Sequence, residues 1–151
     1  MKQTLNYVTY QTFPASTANS LQSISNIKYF IKKGINVCLY FPLREKTSSG
    51  DLKVLQEYYS FTESLEIKGV NHYLPHGRIQ IFKKTMFHIS HFLWSKRTIS
   101  KYFKKNNGDI FFTRSDWIAF FAARKKYKVI FECHQESRIR NFVIKKIGDY
   151  E

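Results

Sequence analysis

The first quarter of the sequence predicts a strand, a loop, a helix, a glycine and a second strand, in that order. Residues 5–10 are β-prone, and apolar residues then recur at three- to four-residue spacing over 21–31, as in a helix packed on one face. Gly34 is typical of a helix stop, and the apolar run 35–41 predicts a buried strand that ends at Pro42. A helix that joins two neighbouring strands in this way makes them parallel. The chain is therefore expected to adopt an α/β architecture.

The rest of the sequence repeats this alternation. The predicted elements are helices over 52–61, 79–105, 116–127 and 138–146, and strands over 109–113 and 128–133. Residues 64–70 are interpreted as a weaker strand or a connection. A length of 151 residues suits one domain with one core. We therefore predict a Rossmann-like, doubly wound parallel sheet that occupies residues 1–151 as a single domain.

The chain is strongly basic, with 25 Lys and Arg against 11 Asp and Glu and a formal net charge of +14. Nine of the basic residues and no acidic one lie between Lys68 and Gly108, which favours an anionic partner such as nucleic acid, a phosphorylated sugar or an anionic membrane. The sequence has only two cysteines, Cys38 and Cys133, and no apolar run long enough to cross a bilayer, so a cytoplasmic location is expected.

In a parallel sheet, ligands bind where the strands end, and four segments should lie there: 11–19, 42–46, 114–116 and 132–136. The first of them has no Gly-x-Gly-x-x-Gly and no Gly-Lys-Ser/Thr, which argues against a dinucleotide site and a phosphate-binding P-loop. It also lacks the glycine-rich turn of a Rossmann methyltransferase. What it offers is a turn with Pro14 before a helix amino terminus, which can hold an anion or a sugar hydroxyl.

Three sequence motifs resemble one enzyme family. Residues 14–20 (PASTANS) with 33–37 (KGINV), residues 109–115 (DIFFTRS) and residues 131–134 (FECH) are similar to stretches of the amino-terminal domain of retaining glycosyltransferases of family four, which have the GT-B fold. The motifs have the family's order and spacing, and together they span almost the whole chain.

The resemblance implies a two-domain enzyme that transfers a sugar from a nucleotide-sugar donor to a glycan or lipid-linked acceptor in cell-surface polysaccharide synthesis. In that family the first domain mainly binds the acceptor, and the second binds the donor and carries two glutamates seven residues apart. We expect this chain to be the acceptor-side domain, to lack the nucleotide-sugar domain, and to be inactive alone. The donor is a substrate, so no cofactor is expected.

The resemblance also suggests site residues. It places His134 as the catalytic histidine near a sugar hydroxyl, with Glu132 orienting it and Arg114 at the cleft mouth. Substrate contacts are expected from the turn before the first helix, namely Ser16, Thr17, Ala18 and Asn19. Each of these residues also has a structural interpretation. For His134 it is a histidine whose ring is hydrogen-bonded to the backbone, for Glu132 the end of a strand, and for Arg114 a surface ion pair. The residues of the turn are then ordinary helix caps. The other histidines have no metal-ligand spacing, so they are interpreted as structural or exposed and no metal is expected.

The long helix over 79–105 has two predicted faces. Its core face is formed by Phe82, Met86, Ile89, Phe92 or Leu93, Ile99 and Phe103. The basic face suggests peripheral contact with anionic lipid at the inner membrane, through Lys83, Lys84, Trp94, Arg97 and Lys101. The alternatives are a solvated basic face over a core helix and, for the whole protein, a non-catalytic module that binds nucleic acid or anionic membrane. No RNA-binding signature supports nucleic acid as the partner.

Overall fold

Five parallel strands form one sheet in the computed structural model of the chain, which describes residues 4–72, 83–103, 110–133 and 137–148. The strands are β1 (Thr4–Val8), β2 (Asn36–Leu43), β3 (Glu66–Asn71), β4 (Ile110–Thr113) and β5 (Lys128–Phe131). The helices are α1 (Ala18–Lys32), α2 (Leu52–Tyr59), α3 (Lys83–Tyr102), α4 (Asp116–Arg124) and α5 (Arg138–Gly148). The predicted α/β class and parallel sheet are confirmed.

The strands lie in the order β3-β2-β1-β4-β5, so the chain moves outward from β1 in one direction and then in the other. Helices α1 and α2 pack on one face of the sheet, whereas α3 and α4 pack on the opposite face. Because crossovers between parallel strands keep one hand, reversing the direction of winding must move the helices to the other face. The reversal occurs between β1 and β4, where ligand crevices of such sheets form.

Alternate residues of β2 supply both halves of the core. Val37, Leu39 and Phe41 face α1 and α2, and Cys38 and Tyr40 face α3 and α4. All five are at least 95% buried, with exposed fractions of 0 to 5%. Burial on both faces explains why the sequence of this strand is almost continuously apolar rather than alternating.

The prediction that β2 ends at Pro42 is wrong, since the strand continues to Leu43 and Pro42 pairs with Val70 of β3. Residues two apart in a parallel strand point their backbone groups to the same side. The Tyr40 carbonyl accepts from Thr9 at 3.0 Å on the β1 side, so the missing N–H of Pro42 also faces that side. β1 has already ended at Val8, and no ladder hydrogen bond is lost there.

The predicted core face of α3 is correct only in part: Ile99 and Phe103 are buried and Phe92 packs against the core, but other predicted positions face outward. Ile89 and Leu93 are 46% and 42% exposed. The buried residues of the helix are Ser90, His91, Trp94, Ser95, Thr98 and Ile99. Three of these six residues, Ser90, Ser95 and Thr98, are small, and they pack where the core beneath carries large side chains such as Tyr10 and Tyr40. The predicted helix ends over 79–82 and 104–105 lie outside the described residues.

Trp94 was predicted to contact a membrane, and this is corrected here. Its side chain is only 3% exposed and packs in the core with Val8, Tyr10 and Ile99. A residue packed between helix and sheet cannot reach a lipid surface. Among the helices of the described ranges, none is long and apolar enough to span a bilayer.

Candidate functional site

A crevice of about 450 Å³ opens at the carboxyl ends of the strands, across the point where the winding reverses. Residues from the exits of β1, β2, β4 and β5 form it together with residues of α1, α3 and α5. It is lined by Thr9, Tyr10, Gln11, Asn19, Gln22, Ser23, Arg44, Phe87, His88, His91, Arg114, Ser115, Asp116, Trp117, Glu132 and Arg140. Most of these side chains can donate or accept hydrogen bonds, and five aromatic or imidazole rings lie among them.

The floor of the crevice is fixed by a direct link between two strand exits. The backbone N–H of Tyr10 donates to Ser115 Oγ at 3.3 Å, and the N–H of Ser115 donates to Thr113 Oγ1 at 3.0 Å. Ser115 precedes α4, but its side chain makes no capping hydrogen bond to that helix. Its hydroxyl oxygen instead accepts from the Tyr10 N–H just after β1. This hydrogen bond links β1 to β4 beyond the last backbone hydrogen bond between the two strands.

The amino terminus of α1 forms one wall, and only part of the predicted turn reaches the crevice. Asn19 lines it, together with Gln22 and Ser23 one turn further on. Thr17 is the helix cap, since its Oγ1 accepts from the N–H of Ser20 at 3.3 Å. Ser16, Thr17 and Ala18 are exposed but do not line the crevice, so the substrate contact predicted for these three is not supported by their positions.

Arg114 and Glu132 meet across the exits of β4 and β5. Arg114 Nε lies 3.6 Å from Glu132 Oε2, which also accepts from Asn26 Nδ2 at 3.2 Å. Both side chains are mostly buried, with exposed fractions of 15% and 26%. The Nη1 of Arg114 is buried and has no hydrogen-bond partner among the described residues. Two predicted site residues are thus brought together, and one guanidinium nitrogen remains available for a ligand.

A second ion pair closes the crevice on the α5 side. Arg140 Nε donates to Asp116 Oδ1 at 2.6 Å, and the two side chains are 16% and 18% exposed. Asp116 is the first residue of α4, where a carboxylate also interacts favourably with the helix dipole. The pair joins α5 to α4 and thereby places Arg140 at the crevice.

An aromatic cluster around Tyr10 forms the wall on the β2 side. The Tyr10 ring lies 4.9 Å from the Arg44 guanidinium carbon and is stacked on the His91 ring with centroids 4.4 Å apart. The Tyr10 hydroxyl is 2.8 Å from His72 Nε2. Burial raises the pKa of Tyr10, an effect that the Arg44 charge partly opposes. Burial lowers the pKa of His91 to about 3, so this imidazole is neutral.

Sequence reasoning found some of these residues and missed others. It predicted Asn19, Arg114 and Glu132, and the structure brings all three to one crevice. Arg44 and Asp116 lie within the predicted strand exits but were not singled out. The crevice residues of α3 and α5 were also missed, because no local pattern shows which part of a distant helix covers a strand exit. His134 lies outside the described residues.

The four cations that were predicted on the surface of α3 are all exposed: Lys83, Lys84, Arg97 and Lys101. They are not part of the crevice lining. Within the described ranges, no group of three or more His, Cys, Asp or Glu side chains is arranged to hold a metal ion.

No protein-family model matches the chain, and no curated protein or solved structure is significantly similar to it. Fold and site alone therefore define its class. It is an α/β protein with a doubly wound parallel sheet and a polar, arginine-containing crevice at the reversal point of that sheet.

Proposed function

We propose that this chain is the acceptor-side domain of a sugar-nucleotide-dependent glycosyltransferase, and that its crevice binds a glycan or lipid-linked acceptor. One observation carries the proposal. The three motifs that resemble such enzymes are far apart in sequence, yet each contributes a residue to the same crevice: Asn19, Arg114 and Glu132. The parallel sheet brings these strand ends to one edge, and the side chain that each motif presents to the crevice there is polar, as a sugar ligand requires.

The chemistry of the crevice also supports a sugar ligand. Asn19, Gln22 and Ser23 present amide and hydroxyl groups that can donate to and accept from sugar hydroxyls. Trp117 adds a ring surface for the apolar face of a pyranose. Specific ligand sites commonly combine an apolar wall with a few polar groups that fix orientation.

His134 follows Glu132 by two residues at the exit of β5, and we propose it as the catalytic histidine near the reacting sugar hydroxyl. A neutral imidazole can accept or donate a proton at that position. Glu132 is then a positioning residue, because its carboxylate is already engaged by Arg114 and Asn26. The donor is a nucleotide sugar bound mainly by a facing domain.

The test is a glycan-binding measurement on the purified chain without donor. We expect saturable binding to a subset of immobilised oligosaccharides or lipid-linked saccharides. Asn19→Ala, which removes one hydrogen-bonding amide at the crevice, should weaken binding about 10-fold. Ser25→Ala, on the exposed side of the same helix, is the matched control and should bind as the parent chain does.

The competing function gives a different pattern. A basic module would bind arbitrary oligonucleotides with an affinity that falls steeply with salt, and Asn19→Ala would leave that binding unchanged. That result, together with no binding to any glycan, would overturn the glycosyltransferase proposal.

A peripheral membrane contact is a second candidate function, and it is compatible with the first. The observation that favours it is an exposed stripe on α3 in which apolar and basic residues follow one another every four positions: Ile89, Leu93, Arg97 and Lys101. Apolar side chains next to cations are the combination that binds anionic lipid surfaces.

A further inference from the structure

We propose that the β2 side of the crevice is an anion-binding subsite built on Arg44, so that the ligand of the crevice carries a phosphate or carboxylate group. This inference rests on the proposed function only where it identifies the ligand as a sugar. The anion subsite itself follows from the geometry of the arginine.

Arg44 directly follows β2, and its side chain is 11% exposed. Its Nη2 lies 3.3 Å from Glu45 Oε1, but its Nε and Nη1 are buried and have no hydrogen-bond partner among the described residues. A guanidinium that loses water without gaining partners costs free energy. An oxyanion that reaches either donor would form a strong charge-assisted hydrogen bond there.

The arginine is held in place by rings rather than by a buried carboxylate. Its guanidinium carbon lies 4.9 Å from the centroid of Tyr10 and 5.8 Å from that of Phe87. Its carboxylate contact among the described residues, Glu45, is 52% exposed, so solvent weakens that pair. Aromatic faces orient a cation without neutralising it. The Arg44 charge is therefore retained for a ligand.

The other charges of the crevice leave a net positive field at this side. Arg140 is paired with Asp116, and Arg114 with Glu132, so the two carboxylates of the lining are already matched by cations. His91 adds no positive charge, because it is neutral and stacked on Tyr10. Arg44 is the lining arginine without a carboxylate partner inside the crevice. Arg114 Nη1 offers a second unpaired donor from the opposite side of β1.

The experiment is calorimetric titration of the chain with four probes: glucose, glucose 6-phosphate, glucuronate and inorganic phosphate. We expect glucose 6-phosphate or glucuronate to bind at least about 10-fold more tightly than glucose. Arg44→Gln should remove about 10- to 100-fold of that affinity, and Arg44→Lys should restore only part of it. Arg124→Gln removes the same charge from the exposed end of α4 and is the matched control. Phosphate and carboxylate ligands are distinguished by which acidic sugar binds better.

A measurement on the unmodified chain guards against a folding defect in the variants. Nuclear magnetic resonance of the arginine side chains should show the Nε–H signal of Arg44 shifting as the best acidic probe is added, with the same midpoint as the calorimetry. The inference is overturned if that signal does not move, or if Arg44→Gln weakens binding no more than Arg124→Gln.

The two proposals fail in different ways. If inorganic phosphate binds as tightly as the acidic sugars and the binding depends on Arg44, the anion subsite stands and the sugar assignment fails. If neutral oligosaccharides bind and an acidic group adds nothing, the sugar assignment stands and the anion subsite fails.

Discussion

The Tyr10 ring lies nearly parallel to the His91 imidazole, with centroids 4.4 Å apart and an interplanar angle of 14°. Tyr10 follows the first strand and His91 lies in the middle of α3, so this stack joins the floor of the crevice to one of its walls. Stacking of this kind contributes beyond simple burial of area. The stack also keeps the His91 imidazole buried, where its charged form is disfavoured.

The first prediction concerns the pH dependence of stability. Burial, with smaller contributions from the charges of His88 and Arg44, lowers the pKa of His91 from 6.5 to about 3. Between these values the unfolded chain binds a proton that the folded chain does not. The free energy of unfolding should therefore fall as the pH decreases through this window, by at most about 1.4 kcal/mol per pH unit.

His91→Phe keeps a ring beside Tyr10 and cannot take up the proton. Between pH 7 and pH 5 the parent chain should lose about 2 kcal/mol more stability than this variant, measured by urea unfolding. His88→Gln, at an exposed position of the same helix, should behave as the parent chain does. If His91→Phe loses as much unfolding free energy as the parent chain over this pH range, His91 is not the cause of the pH dependence.

The second prediction tests the buried position of Trp94. Trp94→Ala leaves a cavity between α3 and the sheet and should lower the free energy of unfolding by about 3–5 kcal/mol. Its neighbour Leu93 is 42% exposed, and Leu93→Ala should cost less than about 1 kcal/mol. Similar losses for the two variants, in chemical denaturation, would mean that the helix is rotated relative to the structure.

The third prediction concerns the ion pair that joins α5 to α4. In a double-mutant cycle with Arg140→Met and Asp116→Asn, we expect a coupling energy of about 1–3 kcal/mol, because both side chains are mostly buried and hydrogen-bonded. The exposed pair Lys68 and Glu66 has side chains that are 44% and 59% exposed. A double-mutant cycle on Lys68 and Glu66 should give a coupling energy of less than about 1 kcal/mol. Equal coupling in the two cycles would show that α5 is not held by this pair.

The fourth prediction concerns the exposed stripe of α3. Co-sedimentation with vesicles rich in phosphatidylserine should show binding that weakens about fivefold for each charge removed in Arg97→Gln and Lys101→Gln. Lys32→Gln with Lys53→Gln removes two exposed charges from the helices on the other face of the sheet and serves as the control. If the control pair weakens binding as much as the α3 pair, net charge alone drives the association and the stripe is not a membrane contact.

Local patterns predicted the elements of the fold well. Thr17 caps α1, Gly34 adopts a φ of 78° after it, and even the weak strand predicted over 64–70 exists as β3. These features depend on a few neighbouring residues. A hydroxyl accepts a hydrogen bond from a helix N–H, and a glycine is free to take a left-handed conformation. The spacing of apolar residues matches the period of a helix or of a strand. The segments that end near the crevice could also be named in advance, because parallel strands all end at one edge.

The crevice itself was decided by the tertiary structure. Arg44 lies against Tyr10, 34 positions earlier in the chain, and His91 covers the same ring from α3. Neither contact has a local signal. The core face of α3 was predicted only in part, because Ile99 and Phe103 are buried as expected but Ser90, Ser95 and Thr98 were not expected in a core.

Local sequence is thus enough to assign most strands and helices, whereas the side chains that meet at the crevice depend on how these elements pack. The two kinds of feature differ in the range of the interactions that set them. The period of apolar residues and the capping of helix ends are settled within one or two turns of chain. The rotation of a helix over a sheet depends instead on the volumes of side chains contributed by distant strands, and α3 accordingly buries large residues such as Trp94 beside small ones such as Ser95.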